Sequence, residues 1–174
     1  MKIYKFNENN HDDLIEVLQE IIKKDNKTIN GFEFDYDSHA GLFVWSNSHY
    51  VFYATPYYDD DVLPINVCDE DGEDIEELFK SFELPELKNN DDVIDCVKFY
   101  YKKIDYVTSG LNKRIELKTN IELINSVKGA DIIKKIYSVD VENVYRLSDI
   151  NVNKLLQELN FKYSDIIQSS KYNL

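Results

Sequence analysis

The stretch Phe32, Glu33, Phe34, Asp35, Tyr36, Asp37 alternates aromatic and acidic residues without a break. Successive side chains of a β-strand point to opposite faces, so a period of two predicts a half-buried strand. Phe32, Phe34 and Tyr36 then face a core, and three carboxylates face water. Downstream, Leu42–Trp45 and Tyr50–Thr55 are rich in aromatic and branched residues and flank the polar run Ser46–His49, which predicts a hairpin. A loop over Pro56–Asp61 leads to a fourth strand, Leu63–Cys68. Connections this short favour an antiparallel meander.

Helical spacing surrounds this segment. Upstream, Leu14, Ile15, Leu18, Ile21 and Ile22 predict a helix over Asp12–Lys24, with Asn10 as its cap and a short strand at Ile3–Phe6 before it. Asp12 and Asp13 at its start and Lys23 and Lys24 at its end suit the helix dipole. Downstream, Ile75, Leu78, Phe79 and Phe82 form one helical stripe from Asp71, stopped by Leu84 and Pro85. Asn90 caps a longer helix with Val93, Val97, Tyr100 or Tyr101, and Ile104 inside. Tyr106–Lys113 reads as a connection, and Thr119 with Glu122 as a capping box opening a short helix that stops at Gly129. Ile132, Ile133, Ile136 and Tyr137, then Val152, Leu155, Leu156 and Leu159, continue at helical spacing. The expected fold is therefore α+β: an N-terminal helix packed on a four-stranded antiparallel meander, followed by a mostly helical C-terminal half. The charge balance changes near Leu87–Asn90. This divides an acidic α+β portion, residues 1–88, from a mostly helical portion, residues 89–174. With three Pro and five Gly there is no flexible linker, and one continuous domain fits equally well.

Length and composition exclude several classes. At 174 residues the chain suits one domain, and 43% apolar with 13% aromatic residues is too rich for a disordered chain despite a net charge of −13. No run approaches the ~18 apolar residues of a membrane span, and Met1–Asn10 has no signal-like apolar stretch. The expectation is a cytoplasmic protein that binds neither membrane nor nucleic acid directly. The five glycines are isolated, so no phosphate loop, dinucleotide fingerprint or nucleophile elbow is present. Cys68 and Cys96 form neither a disulfide framework nor a zinc cluster, and the acids following Cys68 disfavour a thiolate. An EF-hand register on Gly72 puts Val67 and Leu78 at positions that need oxygen ligands. No cofactor is expected. His39 and His49 lie near turns of the acidic segment, where pairing with Asp35 or Asp37 would give a small His-dependent enzyme, and Ca²⁺ or Mg²⁺ held by Asp59–Asp61 or Asp69–Asp71 a metal-dependent one. Leu155–Leu159 and Tyr163–Gln168 suggest two helices around a tight turn, but only Lys162 and Lys171 lie nearby to read DNA.

The charge is unevenly spread. Residues 1–95 hold 24 acids and 7 lysines, whereas residues 96–174 hold 9 acids and 13 bases. No Lys or Arg occurs between Lys27 and Lys80, a stretch with 13 acids. They are Glu33, Asp35, Asp37, Asp59, Asp60, Asp61, Asp69, Glu70, Asp71, Glu73, Asp74, Glu76 and Glu77. Like charges at this density repel one another and cost stability. Grooves that hold nucleic acid are lined with Lys and Arg, so carboxylates on a rigid frame can occupy such a groove and exclude the substrate. Glu33, Asp35 and Asp37 would stand about 6.7 Å apart, roughly two phosphate steps of one DNA strand. Asp69–Glu77 would add a second acidic row at a helix start, and Tyr57 and Tyr58 beside Asp59–Asp61 would combine anchor and charge.

High acidity, small size and heavy use of Asn, Lys, Ile and Tyr make this composition similar to that of many small proteins of AT-rich bacteria and their phages. Those include inhibitors of restriction and CRISPR enzymes and immunity proteins against nuclease toxins. The charge distribution leads to the expectation of a non-catalytic acidic inhibitor, and the similarity in composition suggests the phage or mobile-element anti-defence type, such as an anti-CRISPR or anti-restriction DNA mimic. Its partner is then a basic protein, a nucleic-acid enzyme, engaged through residues 33–37 and 57–77. The alternative is an immunity protein that neutralises a nuclease toxin.

Overall fold

The computed structural model describes Glu20, Lys24 and residues 28–37, 42–54, 62–69, 71–75, 78, 80–83 and 90–172. The chain divides into two compact units, residues 1–108 and 109–174.

Among the described residues of the first unit, five strands form an antiparallel sheet in sequence order: β1 (Glu33–Asp37), β2 (Leu42–Ser46), β3 (Val51–Ala54), β4 (Val62–Cys68) and β5 (Lys80–Glu83). Phe34 pairs with Trp45, Trp45 with Phe52, and Phe52 with Val67, so one transverse row of large apolar side chains crosses four strands. Phe32, Phe43, Trp45, Phe52, Ile65 and Val67 are fully buried on this side. The aromatics meet edge-on or tilted, Phe32 on Phe52 at 4.8 Å and Phe34 on Trp45 at 5.2 Å between ring centroids. These are favourable arrangements for ring quadrupoles.

The expected order of elements is corrected: the described elements begin with the strands, not with a helix. The helix expected over Asp12–Lys24 and the strand at Ile3–Phe6 lie outside the described residues, apart from Glu20 and Lys24. The helix that meets the sheet comes after it, in α1 (Asn90–Lys128). Ile104 and Val107 are buried, Tyr106 meets the ring of Phe82, and the Lys103 ammonium lies 4.6 Å from the same ring. Asn30 and Gly31 form a two-residue reverse turn, with φ of 51° and 86°, closed by two backbone bonds between Ile29 and Phe32. The Asn30 amide then donates to the Asp105 carboxylate at 3.0 Å and to Thr108 Oγ1 at 2.9 Å, tying this turn to α1.

The helix expected from Asp71 to Phe82 is also corrected. Gly72, at φ 80°, reverses the chain, and Asp74 forms a bridge to Cys68. Ile75 donates to the Val67 carbonyl, and Lys80–Glu83 adds a fifth strand against β4. Backbone pairing with an existing strand edge outweighs an apolar spacing that suits a helix.

In the second unit α1 runs on through both expected interruptions. Thr119 does not cap a helix start; its hydroxyl donates back to the Ile115 carbonyl within the continuous helix. Gly110 does not break the helix either. A Cβ there would stand 3.2 Å from Arg114 Nη1, so the glycine makes room for that guanidinium. Arg114, 6% exposed, donates to the carbonyls of Gly110 and Leu147 and to Asp149 at 2.8 Å. Gly129, at φ 120°, does end α1. Then follow α2 (Ile132–Tyr137), a 3-10 turn (Val141–Arg146), α3 (Asp149–Lys162) capped by the Ser148 hydroxyl, and α4 (Ser164–Tyr172). Leu117, Ile121, Ile124, Ile133, Val144, Val152, Leu156, Leu159, Tyr163 and Ile167 form the core of this unit.

Candidate functional site: an acidic sheet face

Strand parity separates the two faces of the sheet. With Phe34, Trp45, Phe52 and Val67 turned to the core, Glu33, Asp35 and Asp37 stand on the opposite face of β1, and all three are exposed. Val44, Ser46, Val51, Tyr53, Asn66 and Cys68 share that face on β2–β4 and are half-buried. The register then brings distant acids into line. Glu33 pairs with Ser46, Ser46 with Val51, Val51 with Cys68, and Cys68 with Asp74. Glu33 and Asp74, forty-one positions apart in the chain, end one transverse row, about 19 Å apart at ~4.8 Å per strand.

Asp69 and Asp71–Asp74 belong to a turn, not to the helix start expected there. One Asp69 carboxylate oxygen accepts from the backbone N–H groups of Asp71 and Glu73, both at 3.0 Å. Asp74 in turn accepts from the Tyr53 hydroxyl and the Cys68 thiol, each at 3.1 Å from the same oxygen. Burial, followed by the bond to Asp74, pushes the Cys68 thiol up to about 11 and the Tyr53 phenol up to about 12. Both groups are therefore protonated donors at neutral pH, and they hold the Asp74 carboxylate in place. Neither partner was singled out from sequence as a holder of Asp74. The available signal was parity, which puts Tyr53 on the face opposite Phe52.

This arrangement carries a pH prediction. Below pH 9 the Cys68 thiol is protonated in both folded and unfolded chains. Between pH 9 and about 11 the folded chain keeps a proton that the unfolded chain has lost, so stability falls as pH rises through that window. Asp74→Ala removes one cause of the raised value, so iodoacetamide should alkylate Cys68 several-fold faster at pH 9, read by peptide mass spectrometry. An unchanged rate would assign the protection to burial alone.

Of the residues singled out from sequence, Glu33, Asp35, Asp37, Asp69, Asp71, Glu73 and Asp74 belong to this face or its bordering turn. Tyr57, Tyr58, Asp59, Asp60, Asp61, Glu70, Glu76 and Glu77 lie outside the described residues, as do His11 and His39. His49 is exposed in the β2–β3 turn, where Asn47 Oδ1 accepts from its backbone N–H and from that of Tyr50. Among the described residues no group of three or more His, Cys, Asp or Glu is placed to hold a metal ion. No helix among them is long and apolar enough to cross a membrane. Two clefts, of about 470 Å³ beside Asn30, Tyr101 and Asp105 and about 260 Å³ beside Tyr137, Leu147 and Lys154, contain none of the residues singled out. Comparison with known protein families, curated proteins and solved structures finds no match to this chain.

Proposed function

We propose that this chain is a non-catalytic inhibitor whose acidic sheet face occupies the basic nucleic-acid site of a partner enzyme, in the manner of an anti-defence DNA mimic. One observation carries the reading: strand register sets Glu33, Asp35 and Asp37 along one margin of a half-buried face and aligns Glu33 with Asp74 at the other. No Lys or Arg occurs anywhere in β1–β4 to offset them. Carboxylates fixed on paired strands lose little freedom on binding, so attraction to a cationic groove is not spent on ordering them. Val44, Val51 and Tyr53 between the margins supply apolar contact where charge alone gives steering and little residence time.

The test is inhibition of DNA cleavage by purified restriction enzymes, CRISPR effectors and nuclease toxins. Inhibition should be competitive with DNA and should weaken steeply between 50 and 500 mM salt. Inhibition that excess DNA does not relieve, or no inhibition across the panel, overturns the reading.

A further inference from the structure

On α3 the buried side chains Val152, Leu156 and Leu159 define the side turned to the core of the second unit. At 100° per residue the opposite pole of the helix carries Ile150, Lys154, Gln157 and Phe161. Phe161 is 90% exposed and Ile150 79%, so two large apolar side chains stand as far from the core as the helix allows. A single exposed apolar residue is ordinary on a protein surface. The order of this stripe is not. Its intervals are four, three and four residues, the spacing of the seam positions of a coiled coil, with apolar outer layers and polar inner ones.

The stripe is also self-complementary. Read backwards it has the same intervals, centred between residues 155 and 156. Two copies of α3 laid antiparallel across a twofold axis at that point bring Ile150 against the second copy's Phe161 at both ends. In the middle, Lys154 falls between the second copy's Gln157 and Glu158, on the same flank as that carboxylate. The pairing therefore occurs twice, with opposite charges matched, as an isologous interface requires. A polar inner layer fixes register at some cost in stability, so a shifted or parallel pairing loses the Lys–Glu match.

We propose that α3 is a dimerisation helix and that its partner is α3 of a second copy of this chain, antiparallel and in that register. This is independent of the acidic face and of what that face binds.

Sedimentation velocity across a concentration series tests it, with thermal melting as the control for folding. The wild-type chain should shift towards twice its monomer mass as concentration rises. Phe161→Ser should abolish that shift and leave the melting curve unchanged at concentrations where the wild type is monomeric, because the side chain is 90% exposed in its own copy. Lys154→Glu should raise the dissociation constant at least tenfold by setting two carboxylates side by side. The double variant Lys154→Glu, Glu158→Lys should return it to within about threefold of wild type. A chain that stays monomeric at every concentration overturns the proposal. So does a dimer untouched by Phe161→Ser, or a Lys154→Glu defect that the double variant fails to repair.

Discussion

Reversing Glu33, Asp35 and Asp37 to Lys should weaken inhibition of a DNA-processing partner on the order of 10³-fold. Each substitution replaces attraction with repulsion against a cationic groove, and like charges facing each other at an interface cost several kcal/mol. A thousandfold loss corresponds to about 4 kcal/mol spread over three positions. Uncharged replacements, Glu33→Gln with Asp35→Asn and Asp37→Asn, remove attraction without adding repulsion and should lose closer to tenfold. The control is reversal of Glu116, Glu122 and Glu142, exposed acids of the second unit, which changes net charge by the same amount. If that control weakens binding equally, total charge and not the sheet face is responsible. Inhibition constants at several salt concentrations decide, and the difference between the two triple variants should shrink as salt screens it.

Trp45→Ala should destabilise the first unit by about 3–5 kcal/mol, the usual cost of removing a large aromatic from a packed core. Trp45 is fully buried, pairs with Phe34 on one side and Phe52 on the other, and touches Phe43. Trp45→Phe should cost far less, because the buried indole N–H has no hydrogen-bond partner among the described residues and its loss strands nothing there. Denaturant titration followed by circular dichroism measures both. The two experiments also separate fold from function. Trp45→Ala should remove the proposed inhibition by unfolding the strands that hold the acids, whereas the triple reversal should remove it with the sheet intact.

The alternation over residues 32–37 carries most of what was legible in advance. It puts Phe34 on the core side of β1 and Glu33, Asp35 and Asp37 on the other, and the same parity extends to Phe43, Trp45, Phe52, Ile65 and Val67. What sequence spacing did not reveal is pairing. Ile75, Leu78, Phe79 and Phe82 satisfy a helical stripe, yet β4 offers its edge to Lys80–Glu83, and no local pattern reports a neighbour supplied by another strand. The alignment of Glu33 with Asp74 is hidden for the same reason, since it passes through three ladders and a bridge. In α1, Ser109–Gly110 and Thr119 to Glu122 look like punctuation. The helix absorbs them because packing of Leu111, Leu117 and Ile121 outweighs weak local preferences. Asn30 followed by Gly31 is a strong local signal, the dipeptide most suited to a turn with two positive φ angles.

That same turn sets a chemical clock. Asparagine before glycine is where the following backbone nitrogen most readily attacks the side-chain amide, expelling ammonia to form a succinimide that water then opens to aspartate or isoaspartate. At residue 30 the product would exchange a donor for an anion facing Asp105, 3.0 Å from where the amide had been. Ageing would thus unfasten the turn from its helix and add charge to the half of the molecule that already carries the most.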